Sequence, residues 1–107
     1  MNINERFQPI RNGLLEFIIL KIISARKVYV ADMLGALAKT EFKTQEGTLY
    51  PLLSRLRRDG LLEYEWRESE TGPPRKYYAL TENGAAHLSE LKAYWKGINA
   101  TINSFGK

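Results

Sequence analysis

The chain has 107 residues, 44% apolar and 26% charged, with two tryptophans, six tyrosines and four phenylalanines. That is the composition expected of a single folded domain rather than of a disordered chain. Sixteen Lys and Arg against twelve Asp and Glu leave a net charge of +4, which permits a polyanionic partner without demanding one, and the lack of cysteine excludes disulfides, thiol redox chemistry and cysteine-ligated zinc.

The opening, MNINERFQPIRNG, lacks the apolar run of a secretory signal. The densest apolar stretch, Leu14 to Ile23, is too short to span a bilayer and contains Glu16 and Lys21, so a reduced cytoplasm is the expected compartment. Asn12 to Ser24 reads as a first helix that is apolar nearly all round, so it needs cover on several sides. In so small a chain, part of that cover is expected from a second copy. Tyr29 to Lys39 reads as a second helix with Met33, Leu34, Leu37 and Ala38 inward, and TEFK at 40–43 as a turn.

Thr44 to Asp59 reads as a third helix, closed by Gly60, with its regular part beginning near Gly47 and Pro51 in an early turn. At helical spacing Leu49, Leu52, Leu53 and Leu56 share one side. The other side and its flanks carry Thr44, Gly47, Thr48, Tyr50, Pro51, Ser54, Arg55 and Arg58, a hydroxylated and cationic set of donors suited to phosphates and base edges. A plain solvated face would show many of the same residues, but acids are nearly missing here until Asp59.

LLEYEWR alternates, with Leu62, Tyr64 and Trp66 expected inward, and RKYYALT reads as a second strand. About eight residues between them predict a hairpin with a long tip, stiffened by Gly72, Pro73 and Pro74. Arg75 and Lys76 follow, placed for a phosphate backbone or a minor groove, while Tyr77 and Tyr78 point to opposite faces. Glu68 and Glu70 near the tip oppose that reading. A last helix begins near Glu82, with Thr81 as N-cap. The order helix, helix, turn, helix, strand, strand, helix predicts a mainly α (α+β) fold, a winged helix-turn-helix with a C-terminal dimerisation helix. The expected division is residues 1–81 as the winged unit and 82–107 as the pairing helix, in one compact domain.

The last helix places Leu88, Leu91, Trp95, Ile98, Ile102 and Phe105 at alternating steps of three and four. Such a seam packs along another helix, in its own domain or in a second copy; its position beyond the winged unit favours the second copy. Trp95 is large for a close-packed seam and either fills a gap or borders a cavity. His87, the only histidine, has no partner suggesting catalysis, and no phosphate-binding glycine loop or metal pair is present, so no enzyme, cofactor or metal site is expected. The rival to a DNA-binding reading is a winged helix used only to bind protein.

Residues 47–84, GTLYPLLSRLRRDGLLEYEWRESETGPPRKYYALTENG, closely resemble the signature of PadR-type transcriptional regulators, and RNGLLEFIILKII resembles the family's first helix. The likeness covers roughly residues 11–105. One departure is RLRRDG, where the family usually has an acid after RL. The resemblance implies a homodimeric, ligand-responsive protein that binds double-stranded DNA, most often as a repressor, with Thr44, Gln45, Thr48 and Tyr50 at reading positions and Arg75 and Lys76 in the wing. It also implies that the last helix packs on the partner's first and last helices. In multidrug-sensing members a tryptophan matching Trp95, with its symmetry mate, sandwiches planar aromatic ligands; Leu15, Ile18 or Ile19 would wall such a slot. Other branches bind phenolic acids in a differently built pocket.

Overall fold

The structure, a computed structural model, describes residues 2–107. Helix formation starts before the apolar run. A short α1 (Ile3–Arg6) is capped by Asn2, whose side-chain oxygen accepts the Glu5 N–H at 2.9 Å, and α2 follows at Gln8–Ala25. Pro9 sits in the first turn of α2, where a missing N–H costs nothing. Residues 8–11 therefore extend the helix without needing a core, with Ile10 57% exposed. One face of α2 buries Leu15, Ile19, Leu20 and Ile23; Leu14, Phe17, Ile18 and Ile22 are half-buried on another.

The second predicted helix is α3 (Val30–Leu37), with Val30, Met33 and Leu37 buried. Ala38, expected inward, is exposed: the helix ends at Leu37, and Ala38 turns its N–H onto the Gly35 carbonyl. Val28 pairs with Tyr78 through two backbone hydrogen bonds of 3.2 and 2.7 Å, so a third short segment braces the base of the hairpin. α4 (Glu46–Arg58) buries Leu49, Leu53 and Leu56. Pro51 is its sixth residue and cannot donate to the Gly47 carbonyl; both residues are exposed, so water can take the place of that bond.

β1 (Leu62–Ser69) and β2 (Gly72–Leu80) pair antiparallel, with Tyr64 opposite Tyr78 and Trp66 opposite Lys76. Two expectations are corrected here. The strands run almost to the end of the hairpin, so the tip is Glu70–Thr71 and the Gly-Pro-Pro stretch lies inside β2. A two-stranded ribbon is all edge, and the register shifts between Arg67 and Ser69, so both prolines avoid breaking a ladder. The alternating face of β1 buries Leu62 and half-buries Tyr64, but Trp66 is 61% exposed. By that point the ribbon has left the core.

α5 (Glu82–Asn103) starts at a tightly built junction. Gly60, at φ +78°, ends α4, and the Leu61 N–H reaches back to the Leu56 carbonyl. The Thr81 hydroxyl donates to the Gly60 carbonyl at 2.6 Å and accepts the Gly84 N–H at 2.9 Å, while the Thr81 N–H donates to the Leu61 carbonyl at 3.1 Å. Gly84 is buried so closely that a Cβ would meet the Leu61 carbonyl oxygen. Leu88 still belongs to the core, but α5 then leaves the head. The radius of gyration reflects that projection: 15.6 Å, against about 13 Å for a compact domain of this size. Among the described residues no helix is long and apolar enough to cross a membrane.

Candidate nucleic-acid interface

Two surfaces flank α4. The centre of its outward face is Gly47, Pro51, Ser54 and Arg58, all exposed, with Gln45 exposed at the N-cap. Thr48 and Arg55 lie on the flank facing α2, in a concavity of about 440 Å³ shared with Asn12, Gly13, Glu16 and Arg58. There the Arg55 guanidinium donates to Glu16 at 2.7 Å, so its charge is already paired. The Thr44 hydroxyl donates to the Phe42 carbonyl at 2.6 Å and is half-buried, which commits it to the turn before the helix. Arg11 holds the same turn, donating to the Glu41 and Lys43 carbonyls at 3.3 Å each with its guanidinium 5.4 Å from the Phe42 ring centre.

The opposite flank of α4 carries Glu46 and Tyr50 and faces the hairpin. Between them is a cavity of about 390 Å³, lined also by Tyr29, Trp66, Pro74, Arg75, Lys76 and Tyr78. The hairpin cations do not wave freely; each lies on an aromatic ring. Arg75 stands 4.6 Å from the Tyr29 ring centre, Tyr29 packs on Tyr77 at 5.3 Å, and Arg67 covers Tyr77 at 4.6 Å. On the other face Lys76 lies 4.6 Å from Tyr64 and 5.4 Å from Trp66, and Arg57 covers Tyr64 at 4.8 Å. Stacking holds the charged heads themselves on the rings, which lowers the entropy lost when they meet an anion. Tyr78 is buried, and Tyr77 on the opposite face is packed between Tyr29 and Arg67.

Glu65 and Tyr78 titrate away from their ordinary values. Glu65 accepts from Arg67 at 2.7 Å and from Lys27 at 3.2 Å; these partners, Arg67 first, hold its carboxyl below the usual range. The same carboxylate ties the loop before α3 to β1. Burial raises the Tyr78 hydroxyl, with Tyr50 and Tyr64 adding to the effect, so it stays neutral and keeps its donor.

Away from this face, α5 carries the predicted seam. Leu88 is buried and Leu91 half-buried against the head; Trp95 is 43% exposed, Ile102 63% and Phe105 75%, the last just beyond the helix end. Ile98 is half-buried. Trp95 closes an apolar groove of about 540 Å³ with Leu14, Phe17, Ile18, Lys21, Ile22 and Phe42. Of the suggested slot walls, only Ile18 lines it. Leu15 and Ile19 point into the core at 3% and 0% exposure, because they occupy the other face of α2. Leu14, Phe17, Ile22 and Phe42 were not singled out; the first three lay in a run too uniformly apolar to reveal which face turned where. Among the described residues no group of three or more acids and histidines is placed to hold a metal.

Of the residues read from sequence as DNA contacts, Tyr50, Arg75 and Lys76 thus share one concavity, Thr48 and Arg55 another, and Ser54 lies between. Tyr29 and Trp66 were missed as parts of that face, since short aromatic segments look like core.

The sequence pattern of the transcriptional regulator PadR-like family matches residues 19–90. A PadR-like transcription factor from Bacteroides fragilis has a structure similar over 92% of this chain and 96% of its own, at TM-score 0.82 and 45% identity. A PadR-like transcriptional regulator from Bacillus cereus is similar over 92% and 99%, at TM-score 0.82 and 37% identity. A transcriptional regulator of Mycobacterium tuberculosis is 38% identical over 72 residues, 67% of this chain and 66% of that one.

Proposed function

The chain belongs to the PadR-like family of transcriptional regulators, DNA-binding proteins and not enzymes, and from that premise we propose that it is a homodimeric, ligand-responsive repressor of a palindromic operator. α4 enters the major groove through its Gln45–Ser54 face, and the hairpin lays Arg75 and Lys76 along the adjoining backbone or minor groove. The observation that carries the dimer is the apolar row on α5, which runs on past the groove at Trp95 to the exposed Ile102 and Phe105. A second copy covers such a row most simply, since identical seams are self-complementary. Two clasped α5 helices would then set the spacing of the two reading heads. Residues 1–81 serve as the reading unit and 82–107 as the pairing helix, working in the cytoplasm.

The effector reading places a planar aromatic molecule beside Trp95, walled by Phe17, Ile18 and Ile22, where it alters the relative arrangement of the heads by binding one arrangement better than the other. Light scattering should give twice the chain mass, and the DNA upstream of its own gene should be retained in a mobility-shift assay. A monomer that ignores that fragment refutes the proposal. For the effector, planar aromatics should quench tryptophan fluorescence in the wild type; unchanged binding in Trp95→Ala removes the slot.

A further inference from the structure

Trp66 is the one large aromatic on the hairpin that the fold leaves uncovered. The residue is 61% exposed; its ring meets Tyr64 edge-on at 6.1 Å and has the Lys76 ammonium 5.4 Å from its centre. It borders three concavities at once: toward Tyr50 and Glu46 on α4, toward Arg57 and Arg58, and toward Pro73, Pro74 and Arg67 at the outer hairpin. It therefore sits in the corner between the reading helix and the wing, with Arg57, Arg58, Arg75 and Lys76 around it besides Arg67, which is paired with Glu65. The nearby acids are Glu46, Glu63 and Glu68, besides Glu65, whose charge is taken up by Arg67 and Lys27.

We propose that Trp66 is a DNA-backbone contact, its ring lying against a deoxyribose at the groove edge and its indole N–H donating to the neighbouring phosphate. The inference rests on DNA binding by the head. An exposed indole gains by leaving water, it has a donor at its rim, and the surrounding positive charge selects a polyanion over a neutral protein surface. A backbone contact of this kind positions the duplex and carries no sequence information.

The test compares wild type, Trp66→Ala, Trp66→Phe and Arg75→Ala by anisotropy of two labelled duplexes, one random and one from upstream of the gene, across a salt series. Trp66→Ala should lose about tenfold on both duplexes, and Trp66→Phe, which keeps the ring but not the donor, about threefold, the scale of one apolar contact and one hydrogen bond. Both should keep the wild-type salt slope, because the indole carries no charge; Arg75→Ala should flatten it by about 0.9. In the intact chain labelled with 5-fluorotryptophan, the ¹⁹F resonance assigned to Trp66 by its absence in Trp66→Phe should move and lose its solvent-isotope shift on adding duplex. Wild-type affinity in Trp66→Ala with an unmoved resonance overturns the proposal. So does a slope flattened like that of Arg75→Ala, which would make Trp66 a support for Lys76. If the wild type retains neither duplex, DNA binding itself fails; retention with an indifferent Trp66 leaves DNA binding standing and removes only this contact.

Discussion

Gly84→Ala tests whether the junction between the head and α5 is built as tightly as its geometry indicates. The added Cβ would run into the Leu61 carbonyl oxygen, far inside ordinary contact, and the obstacle is backbone that cannot swing away as a side chain could. Relief requires moving the first turn of α5 away from the α4–β1 turn. That movement stretches three hydrogen bonds, from Thr81 to Gly60, from Thr81 to Leu61 and from Gly84 to Thr81. At about 1 kcal/mol each, their loss costs about 3 kcal/mol. Alanine's helix preference over glycine returns about 1 kcal/mol, leaving a net destabilisation of about 2 kcal/mol. For a domain of this size that is a fall of about 8–16 °C in Tm. Gly35→Ala is the control, being helical with nothing within 4 Å of a Cβ, and should gain up to about 1 kcal/mol. Urea unfolding followed by circular dichroism, at one fixed protein concentration, measures both. If Gly84→Ala falls within about 0.5 kcal/mol of wild type, the usual scatter of surface substitutions, the steric reasoning is wrong.

Glu16→Gln should release Arg55 from its 2.7 Å ion pair and make it available to phosphate, steepening the salt slope of duplex binding by up to about 0.9; an unaltered slope would show that Arg55 does not reach DNA. Arg75→Ala should weaken binding to all duplexes alike, whereas Thr48→Ala should change preference among them by about 1 kcal/mol at the position it reads, so equal losses for both variants on specific and random DNA would contradict that division. Glu65→Gln tests the link between β1 and the loop before α3. Because the folded carboxyl titrates below its ordinary value, its stabilising effect is complete above that value and fades as the pH falls through the lower, folded one. The variant's urea midpoint should therefore trail wild type slightly at neutral pH and meet it in strong acid; no gap at neutral pH counts against the link, and the gap is small because the pair faces water.

Much of the architecture could be read directly. Period-3.6 leucines located α4, alternating residues located β1, and the Thr81 cap located the start of α5, because each signal depends on neighbours in the chain alone. The errors arose where a pattern continued past the place at which burial stopped. Trp66 obeys the same alternation as Leu62 and Tyr64, yet it lies where the ribbon has left the core. Ala38 fits the inward spacing of α3 but falls after the helix has turned. The tip was read as long because prolines look like loop, although a two-stranded ribbon accepts them.

The candidate site divides in the same way. Residue types alone marked α4 and the RKYY strand as a cationic, hydroxyl-bearing face, since charge and donor chemistry belong to side chains whatever their surroundings. Which of those groups are available was decided by contacts that residue type does not announce: from distant segments Glu16 takes Arg55 and Tyr29 seats Arg75, and within the turn the Phe42 carbonyl takes Thr44. The glycine at 84 shows the same limit, for nothing in its own segment announces that a carbonyl from residue 61 will pass against it. Local order follows from bonds between near neighbours and is written along the chain, whereas occupancy, exposure and close approach depend on segments about 20 to 50 residues apart meeting in space, so only the folded molecule sets them.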